Sequence, residues 1–440
     1  MTSGDQRYQR LSRVGFLCLL SIGIPLVGIA SAEDGLSARW EGFRGNFAKG
    51  YSVAVLPLEW DGPSGKNVVW KAPLPATSRG GNPDHNQSSP VVISGRVIVT
   101  TAFWSEKQPT SEIPEQHVTC YDEQDGKQLW DVQVPAGPWK LSDLRGGYCA
   151  PTPVVDGQRV YVIFGSSIVA AVELNGMLAW HKEIPDWQSF DVAIASSPIL
   201  YGGKLLVLAD RNGKKSTLTA HDVKTGDVVW EKKRPEVSFG HTTPVLVLNG
   251  EPKGEAAQLL VAASNELQGL NPETGEKIWW CKMPGDVTAP VFARGLVYTD
   301  SGRGGPGFLV DASGKGDVTA THIKWKIDQI PEGLSSPAIV GDYLYRLHNP
   351  GVLKCFAMVD GKEAYAKRLD GVSTASSPIT TPSGRLYFAS AGKTFVIQSG
   401  PMFKLLATND LSEPHASSAA AANGRLYLKG QKHLFCVGEE

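Results

Sequence analysis

The sequence predicts an all-β fold: an eight-bladed β-propeller of four-stranded antiparallel blades, with the ring closed by an N-terminal strand. Three observations lead to this prediction. A short motif that ends in proline recurs along the chain, a bulky aromatic residue closes each repeat, and strand-length apolar runs separated by turn signals lie between them. Repeats of roughly 40–50 residues with four short strands are typical of propellers. One such sheet cannot bury both of its faces alone, so the blades must stack in a ring.

The opening motif of each repeat consists of two residues, mostly small, followed by proline. Successive prolines are 41 to 63 residues apart, and an eighth copy has lost its proline. The copies are Ser88-Ser89-Pro90, Pro151-Thr152-Pro153, Ser196-Ser197-Pro198, Thr242-Thr243-Pro244, Thr288-Ala289-Pro290, Ser335-Ser336-Pro337, Ser376-Ser377-Pro378 and Ser417-Ser418-Ala419. This spacing indicates eight structural units of one kind.

The clearest copy runs from Ser196 to Trp230. Its four apolar runs are Pro198–Leu200, Leu205–Leu208, Leu218–Ala220 and Val228–Trp230. The turn from Asp222 to Gly226 has a physical basis, because Asp and Thr side chains accept hydrogen bonds from nearby N–H groups and Gly adopts a positive φ without strain. The closing aromatics of the other copies are Trp130, Trp180, Trp279, Trp325 and Tyr365, with Trp70 as a further counterpart.

The two ends of the repeat region complement each other. Asn67–Trp70 matches a fourth strand that no first three strands precede, whereas the last copy has strands at Gly424–Leu428 and His433–Val437 but no fourth. Pairing these segments would close the ring and remove exposed strand edges, which are prone to aggregation. We therefore predict the propeller at residues 67–440 and an N-terminal extension at residues 33–66.

Residues 1–32 have the features of a secretory signal peptide. Arg7, Arg10 and Arg13 precede an uncharged apolar stretch, and Ala30-Ser31-Ala32 fits a cleavage site. The alternative is an uncleaved membrane anchor, although the apolar stretch of 16 residues from Val14 to Ile29 is shorter than the ~20 residues of a typical span. We expect an exported protein, periplasmic or secreted, with no transmembrane span after removal of the leader.

The charge balance excludes one class of partner. Without residues 1–32 the formal net charge is −3, whereas a dedicated nucleic-acid binder should carry a basic stripe. We therefore expect no nucleic-acid partner, and we expect a monomer. Five cysteines remain, an odd number that does not indicate a disulfide framework. Small buried hydrophobic residues are the simplest interpretation of them, and a pairing of Cys149 with Cys281 stays open.

The order of these signals resembles the pyrroloquinoline-quinone-like (PQQ-like) repeat family. The pattern is Ser-Ser-Pro-Val, then Val/Leu-Tyr-Val, then Ala-x-Asp-x-x-Thr-Gly-x-x-x-Trp, and the resemblance covers residues 67–437. The family consists of eight-bladed propellers, among them quinoprotein alcohol dehydrogenases and the outer-membrane barrel-assembly lipoprotein. The resemblance implies the fold but not the function, because the family contains both enzymes and binding scaffolds. It also implies that each closing tryptophan, such as Trp230, docks between neighbouring blades.

Candidate binding residues gather at one predicted mouth of the ring. The loops before each opening motif and the loops between second and third strands share one end of the blades, and His241 directly precedes an inner strand. The candidates are His85, Arg145, Asp210, Arg211, His241, Asp300, Arg303 and His415. For each of them the alternative is an ordinary polar loop residue. No two histidines and no cysteine pair have a tight metal-binding spacing, so we predict no metal site and no catalytic residue.

Three segments stand out as further loops. Residues 101–117 and Pro135–Tyr148 are long, and long loops on a rigid ring are common binding elements. The run from Gly302 to Gly307 is glycine-rich, but a strand rather than a helix follows it, so it does not match a phosphate-binding loop. We predict a flexible loop there.

The enzyme interpretation requires more than the fold. A quinone dehydrogenase needs a calcium-like cation on carboxylate and amide oxygens, a carboxylate base and a stacking platform. The resemblance also implies an adjacent Cys-Cys pair beside the cofactor, and this sequence has none. We therefore predict an exported non-enzymatic binding or scaffold protein without a cofactor, whose unknown partner is a protein, a peptide or a polar small molecule at one mouth. The alternative is a metal-dependent or PQQ-dependent oxidoreductase that uses PQQ with calcium.

Overall fold

The structure, a computed structural model, describes residues 38–185, 194–248, 256–372, 376–414 and 417–439. The predicted leader and the candidate residue His415 lie outside these ranges. The described residues form eight sheets, each built on four antiparallel strands of the repeat, and this confirms the predicted eight-bladed propeller. Helix is confined to the short α-helix Pro75–Arg79 and the 3-10 turn Asn46–Ala48 within these ranges.

Blades are numbered along the chain from the first complete sheet. The strands of blade 1 are Val91–Ile93, Arg96–Trp104, Glu115–Asp122 and Gln128–Val134; of blade 2, Val154–Val155, Arg159–Phe164, Ile168–Glu173 and Leu178–Glu183; of blade 3, Ile199–Tyr201, Lys204–Ala209, Thr217–Asp222 and Val228–Lys233; of blade 4, Val245–Val247, Gln258–Ala262, Glu266–Leu270 and Lys277–Lys282. Two blades gain a short extra strand: Asn82–Pro83 in blade 1 and Gly316–Asp317 in blade 4.

The second half of the ring repeats this arrangement. The strands of blade 5 are Val291–Ala293, Leu296–Asp300, Arg303–Asp311 and Ile323–Glu332; of blade 6, Ala338–Val340, Tyr343–His348, Val352–Ala357 and Glu363–Arg368; of blade 7, Ile379–Thr380, Arg385–Ser390, Lys393–Gln398 and Lys404–Asp410; of blade 8, Ala420–Ala422, Arg425–Lys429, His433–Val437 and Val68–Pro73.

Blade 8 closes the ring as predicted. Its fourth strand is Val68–Pro73, which pairs antiparallel with His433–Val437 and places Trp70 opposite Cys436. The N-terminal strand therefore completes the last sheet, and the outermost strand of blade 8 comes from the opposite end of the chain to the other three. The ring closes through backbone hydrogen bonds within one blade.

The second residue of the opening motif joins neighbouring blades. At six of the eight interfaces its backbone N–H donates a hydrogen bond to the hydroxyl group at the same position of the next blade, over 2.8–3.2 Å. Ala289 interrupts this ring of hydroxyl groups because it offers no oxygen to the N–H of Thr243. Buried N–H groups need acceptors, so the motif requires a small hydroxyl residue here for a structural reason.

The first residue of the motif acts within its own blade. The hydroxyl of Thr242 donates to the carbonyl oxygen of Ala262 over 2.8 Å, and the hydroxyl of Ser417 donates to that of Lys429 over 3.1 Å. Each bond ties the start of the first strand to the second strand of the same sheet. In these copies the first residue acts inside a blade, whereas the second residue acts between blades.

The closing tryptophans dock on the next blade, as the resemblance implied. The indole N–H of Trp130 donates to the carbonyl oxygen of Leu174 in blade 2 over 2.9 Å. The glycine of the following turn lies flat against the ring: a Cβ atom on Gly176 would come within 2.8 Å of Trp130. The same indole–carbonyl bond recurs for Trp70, Trp180 and Trp325. Trp279 differs, because its indole donates to Gln258 of its own blade over 2.7 Å.

The N-terminal extension crosses the centre of the ring. Trp40 pairs with Val92 of blade 1, and backbone bonds of 2.8–2.9 Å join Gly50 and Ser52 to Thr380 of blade 7. The buried Arg44 donates to the carbonyl oxygen of Pro337 in blade 6 over 2.9 Å, and burial lowers the pKa of Arg44 to about 10. Because these partners follow the motif hydroxyls along the first strands, the extension lies at the far end of the channel from His241.

Two expectations change in the structure. The glycine-rich run was predicted as a flexible loop, but Arg303–Asp311 is a nine-residue strand paired with Ile323–Glu332. Position 307 requires glycine for a steric reason, since a Cβ atom there would lie 2.4 Å from the hydroxyl oxygen of Tyr298. The open pairing of Cys149 with Cys281 is not formed: all five cysteines in the described ranges are free and buried, in agreement with their interpretation as small core residues.

Candidate functional site

The motif hydroxyls line a cavity at the axis of the ring. Phe43 of the extension also lines this cavity, whose volume is about 110 Å³. Because the extension lies at the far end of the channel, Phe43 forms its floor. The ring positions that contribute are Thr152, Ser197, Thr243, Ala289, Ser336, Ser377 and Ser418. The cavity is therefore blind, and its open end is the mouth at which the sequence placed the candidate residues.

His241 stands at this mouth because it immediately precedes the opening motif Thr242-Thr243-Pro244, which leads into the first strand of blade 4. Its backbone N–H donates to the carbonyl oxygen of Asp286 over 2.6 Å, and its ring meets Phe239 edge-on with centroids 4.3 Å apart. Nδ1 is buried and has no hydrogen-bond partner among the described residues. Burial, reinforced by the positive charges of Arg303 and Arg145, lowers the pKa of His241 to about 4. The imidazole is therefore neutral near pH 7.

Two arginines complete the mouth. Arg303 donates from Nε to the carboxylate of Asp286, the residue that also holds the backbone of His241. Arg145 pairs with Asp143 through Nε at 2.7 Å, and its carbonyl oxygen accepts a 3.0 Å bond from Gln87, which lines the cavity. The side chains remain 50 % and 81 % exposed, so both guanidinium groups are accessible to a partner. His85 is likewise exposed.

Asp300 and Asp210 are not available at the mouth. Arg346 of blade 6 holds Asp300 in a two-pronged pair of 2.8 and 2.9 Å. Burial by itself would raise the pKa of Asp300, but the Arg346 guanidinium holds it below the usual range. Asp210 is buried against Arg234. Both carboxylates therefore form buried ion pairs with arginines inside the ring. The sequence had predicted them beside Arg303 on the rim.

Arg211 lines a different cavity. It is buried and borders a space of about 520 Å³ between blades 2 and 3, together with Lys182 and Lys215. Pro185 also lines this space and adjoins residues 186–193, which lie outside the described ranges. The sequence did not indicate this cavity, because its lining combines the 211–216 loop of blade 3 with strand residues of blades 2 and 3.

The long loops of blade 1 pack into the body of the ring. Trp104 is buried and donates its indole N–H to the carbonyl oxygen of Glu112 over 2.8 Å. Tyr148 accepts a 2.9 Å bond from the backbone of Leu141 and meets Trp104 edge-on. In these two loops Arg145 stays exposed, whereas Trp104 is buried and supports the fold.

Sequence reasoning missed Phe43, Gln87 and the ring hydroxyls as cavity-lining residues. The hydroxyls have a signal, since the second motif position is Ser or Thr in most copies, but the motif by itself does not indicate that these hydroxyls face the channel. Phe43 lies in an extension that has no repeat to compare it with. Within the described ranges, no group of three or more His, Cys, Asp or Glu side chains is placed to hold a metal ion, and no helix is long and apolar enough to cross a membrane.

The ring, its motif and its docking tryptophans define an eight-bladed propeller of the PQQ-like class. The family model described as outer membrane protein assembly factor BamB matches residues 57–214 and 214–385, and the chain belongs to this family. No curated protein sequence gives a match.

Solved structures share the fold at low sequence identity. BamB from Moraxella catarrhalis is 14% identical over 85% of this chain and 97% of its own, with a TM-score of 0.57. Quinohemoprotein alcohol dehydrogenase from Comamonas testosteroni is 12% identical over 93% of this chain and 82% of its own, with a TM-score of 0.65. A europium-containing methanol dehydrogenase is 12% identical over 92% of both chains, also with a TM-score of 0.65. These likenesses concern the fold alone.

The cavity lining does not fit a quinone cofactor. Ligand pockets usually measure ~300–1,000 Å³, whereas this cavity measures about 110 Å³. Among the described residues that line it there is no carboxylate for a calcium-like cation, and Gln87 supplies the one amide oxygen.

Proposed function

We propose that this chain is an exported, non-enzymatic binding protein that presents the mouth around His241 to a partner outside the cytoplasm. One observation carries the proposal: the channel is closed at its far end by the extension and, at its open end, carries two accessible arginines around a buried histidine. A protein, a peptide or a polar small molecule is a suitable partner for such a surface. We further propose that the chain acts as a monomer.

Rigidity supports this role. The buried pair Asp300–Arg346 lies three residues from Arg303, and Gln87 holds the backbone carbonyl of Arg145 over 3.0 Å. The pair Asp210–Arg234 and the hydroxyl bonds fix the blades around them. A surface that is already ordered loses less conformational entropy on binding. The second function, a PQQ-dependent or metal-dependent oxidoreductase, has the fold in its favour but lacks a suitable donor set in the cavity, so we propose that no PQQ is bound.

Export rests on the sequence and on the family. Residues 1–32 have the charge, apolar stretch and small-residue site of a secretory leader. The family model carries the description of an outer membrane protein assembly factor. We therefore propose a periplasmic or secreted location. Fractionation of cells, with N-terminal sequencing of the recovered protein, tests it; a cytoplasmic protein that begins at Met1 would reject this part.

The partner experiment uses the envelope fraction of the source cells and the purified protein as bait after chemical cross-linking. Arg145→Ala/Arg303→Ala changes the mouth, and Lys224→Ala/Arg294→Ala changes two exposed cations in turns of the opposite end. We expect the first pair to abolish capture of a partner that the second pair retains. The opposite pattern would place the binding surface elsewhere. Addition of PQQ and calcium, followed by quinone absorbance and alcohol-dependent dye reduction, tests the oxidoreductase; stoichiometric quinone with turnover would overturn the scaffold.

A further inference from the structure

The geometry points to a specific ligand chemistry at this mouth: we infer that the cavity receives the carboxylate of an acidic side chain, Asp or Glu, at the tip of a loop on a protein partner. This inference rests on the proposed function and names the chemistry by which the partner is recognised.

The size of the cavity selects a side chain rather than a whole small molecule. Its volume is about 110 Å³, which is well below the ~300–1,000 Å³ of pockets that enclose a ligand. Its floor at Phe43 is closed and its mouth is open to the arginine-bearing loops. A projecting side chain can fill such a depression while the rest of its loop remains outside, in contact with the rim.

The hydrogen-bonding character of the lining selects an acceptor. Each ring hydroxyl uses its oxygen to accept an N–H from the preceding blade, as Ser197 does from Thr152 over 3.0 Å. Within the described part of the chain, the O–H groups of Thr152, Ser197, Thr243, Ser336, Ser377 and Ser418 donate to no acceptor. The cavity therefore offers several donors. An ionised carboxylate accepts hydrogen bonds and donates none, so it complements this lining.

The rim supplies the opposing charge. Arg303 is bonded to Asp286 through Nε alone among the described contacts, which leaves its terminal nitrogens for a second carboxylate. Arg145 is held by Asp143, two residues away in the chain and on the surface. Exposed pairs of this kind contribute only ~0–1 kcal/mol, so an incoming carboxylate can exchange with the local one. Because His241 is neutral, binding of a partner at this mouth does not have to remove water from a charged imidazole.

The test uses two synthetic peptides, acetyl-Gly-Ser-Glu-Ser-Gly-amide and its Gln counterpart, and acetate as a free carboxylate. Protein labelled with ¹³C in its histidine rings reports binding through the His241 resonance, which His241→Gln identifies by its disappearance. We expect the Glu peptide to shift this resonance and to bind at least tenfold more tightly than the Gln peptide. Equal affinities of the two peptides would overturn the inference. If acetate binds as tightly as the Glu peptide, the ligand is a small carboxylate rather than a side chain of a partner loop, and the inference is also overturned.

Matched arginine variants separate the mouth from general charge. Arg145→Ala/Arg303→Ala should lose at least tenfold in affinity for the Glu peptide, whereas Arg294→Ala, which removes an exposed arginine paired with Asp342 at the opposite end, should not. Equal losses would reject the site. If neither peptide binds while capture of a cross-linked partner still depends on Arg145 and Arg303, that result would support the proposed binding function and reject recognition of a carboxylate.

Discussion

The carboxylate of Glu123 in blade 1 accepts a 2.8 Å hydrogen bond from the hydroxyl group of Tyr427 in blade 8. The same oxygen accepts a 2.6 Å bond from the side chain of Asn423, and the backbone carbonyl of Glu123 receives the indole of Trp70 at 3.0 Å. One residue thus joins the first blade to strands from both ends of the chain. This contact reinforces the blade that closes the ring.

Replacement of Glu123 by Ala should lower the free energy of unfolding. The buried hydroxyl of Tyr427 would lose its acceptor, and an unsatisfied buried group costs ~1–3 kcal/mol. The side chain of Asn423, which is exposed, would lose its bond to Glu123 at a smaller cost. Urea unfolding followed by tryptophan fluorescence measures the change. Tyr427→Phe removes one of the two bonds, so it should cost less; an equal or larger loss in Tyr427→Phe would contradict this account.

The pair Asp300–Arg346 predicts an asymmetric response to substitution. Asp300→Ala would leave the fully buried guanidinium of Arg346 without its counter-ion, and breaking such a pair typically costs ~3–5 kcal/mol. The double variant Asp300→Leu/Arg346→Met removes both charges and should recover most of that loss. Unfolding midpoints of the three proteins test this. A double variant as unstable as Asp300→Ala would show that packing, rather than charge, dominates here.

Ala289→Ser should stabilise the ring. The new hydroxyl would accept the N–H of Thr243 at the interface between blades 4 and 5, where the other copies of the motif form a 2.8–3.2 Å bond. A typical intramolecular hydrogen bond contributes ~0.5–1.5 kcal/mol. Thermal unfolding gives the measurement, with Ser197→Ala as the reverse change and an expected loss. A destabilised Ala289→Ser variant would indicate that this interface is too tight for an oxygen atom.

The fold could be predicted because the sequence states it eight times. The second motif residue, such as Ser197, recurs with a hydrogen bond that joins neighbouring blades, and Val68–Pro73 pairs where its resemblance to a fourth strand placed it. A motif rarely recurs in eight copies by chance, and it recurs here because each blade needs the same small residues at the same position. The extension has no such repetition, so the path of residues 40–52 through the channel could not be derived.

The candidate site was harder to predict for a related reason. Asp300 ends the second strand of blade 5 and Arg303 begins the third, yet one side chain is buried and the other half-exposed. The difference depends on Arg346, which is 46 residues further along and reaches across from blade 6. A sequence pattern locates loop ends, whereas a partner on the neighbouring blade decides which side chain stays at the surface.

Lys429 predicts a pH dependence of stability. Its ammonium group is buried between blades 8 and 1, where it donates to the hydroxyl of Ser88 at 2.7 Å and to the carbonyl oxygen of Thr100 at 3.0 Å. Burial lowers the pKa of Lys429 to about 7, although the negative forms of Cys149 and Asp84 would favour the charged lysine. The unfolded chain keeps the ordinary pKa of 10.5. Between these two values the unfolded state therefore binds more protons than the folded state.

Stability should accordingly rise as the pH increases from about 7 toward 10.5, by at most ~1.4 kcal/mol per pH unit for one proton. Lys429→Met removes the buried charge, so the variant should gain most relative to the wild type at pH 7 and least near pH 10. Urea midpoints of both proteins at pH 7, 8, 9 and 10 measure the difference, and Lys224→Met, at an exposed turn, controls for loss of a lysine. A difference between Lys429→Met and the wild type that stays constant with pH would show that Lys429 does not change its protonation on unfolding in this range.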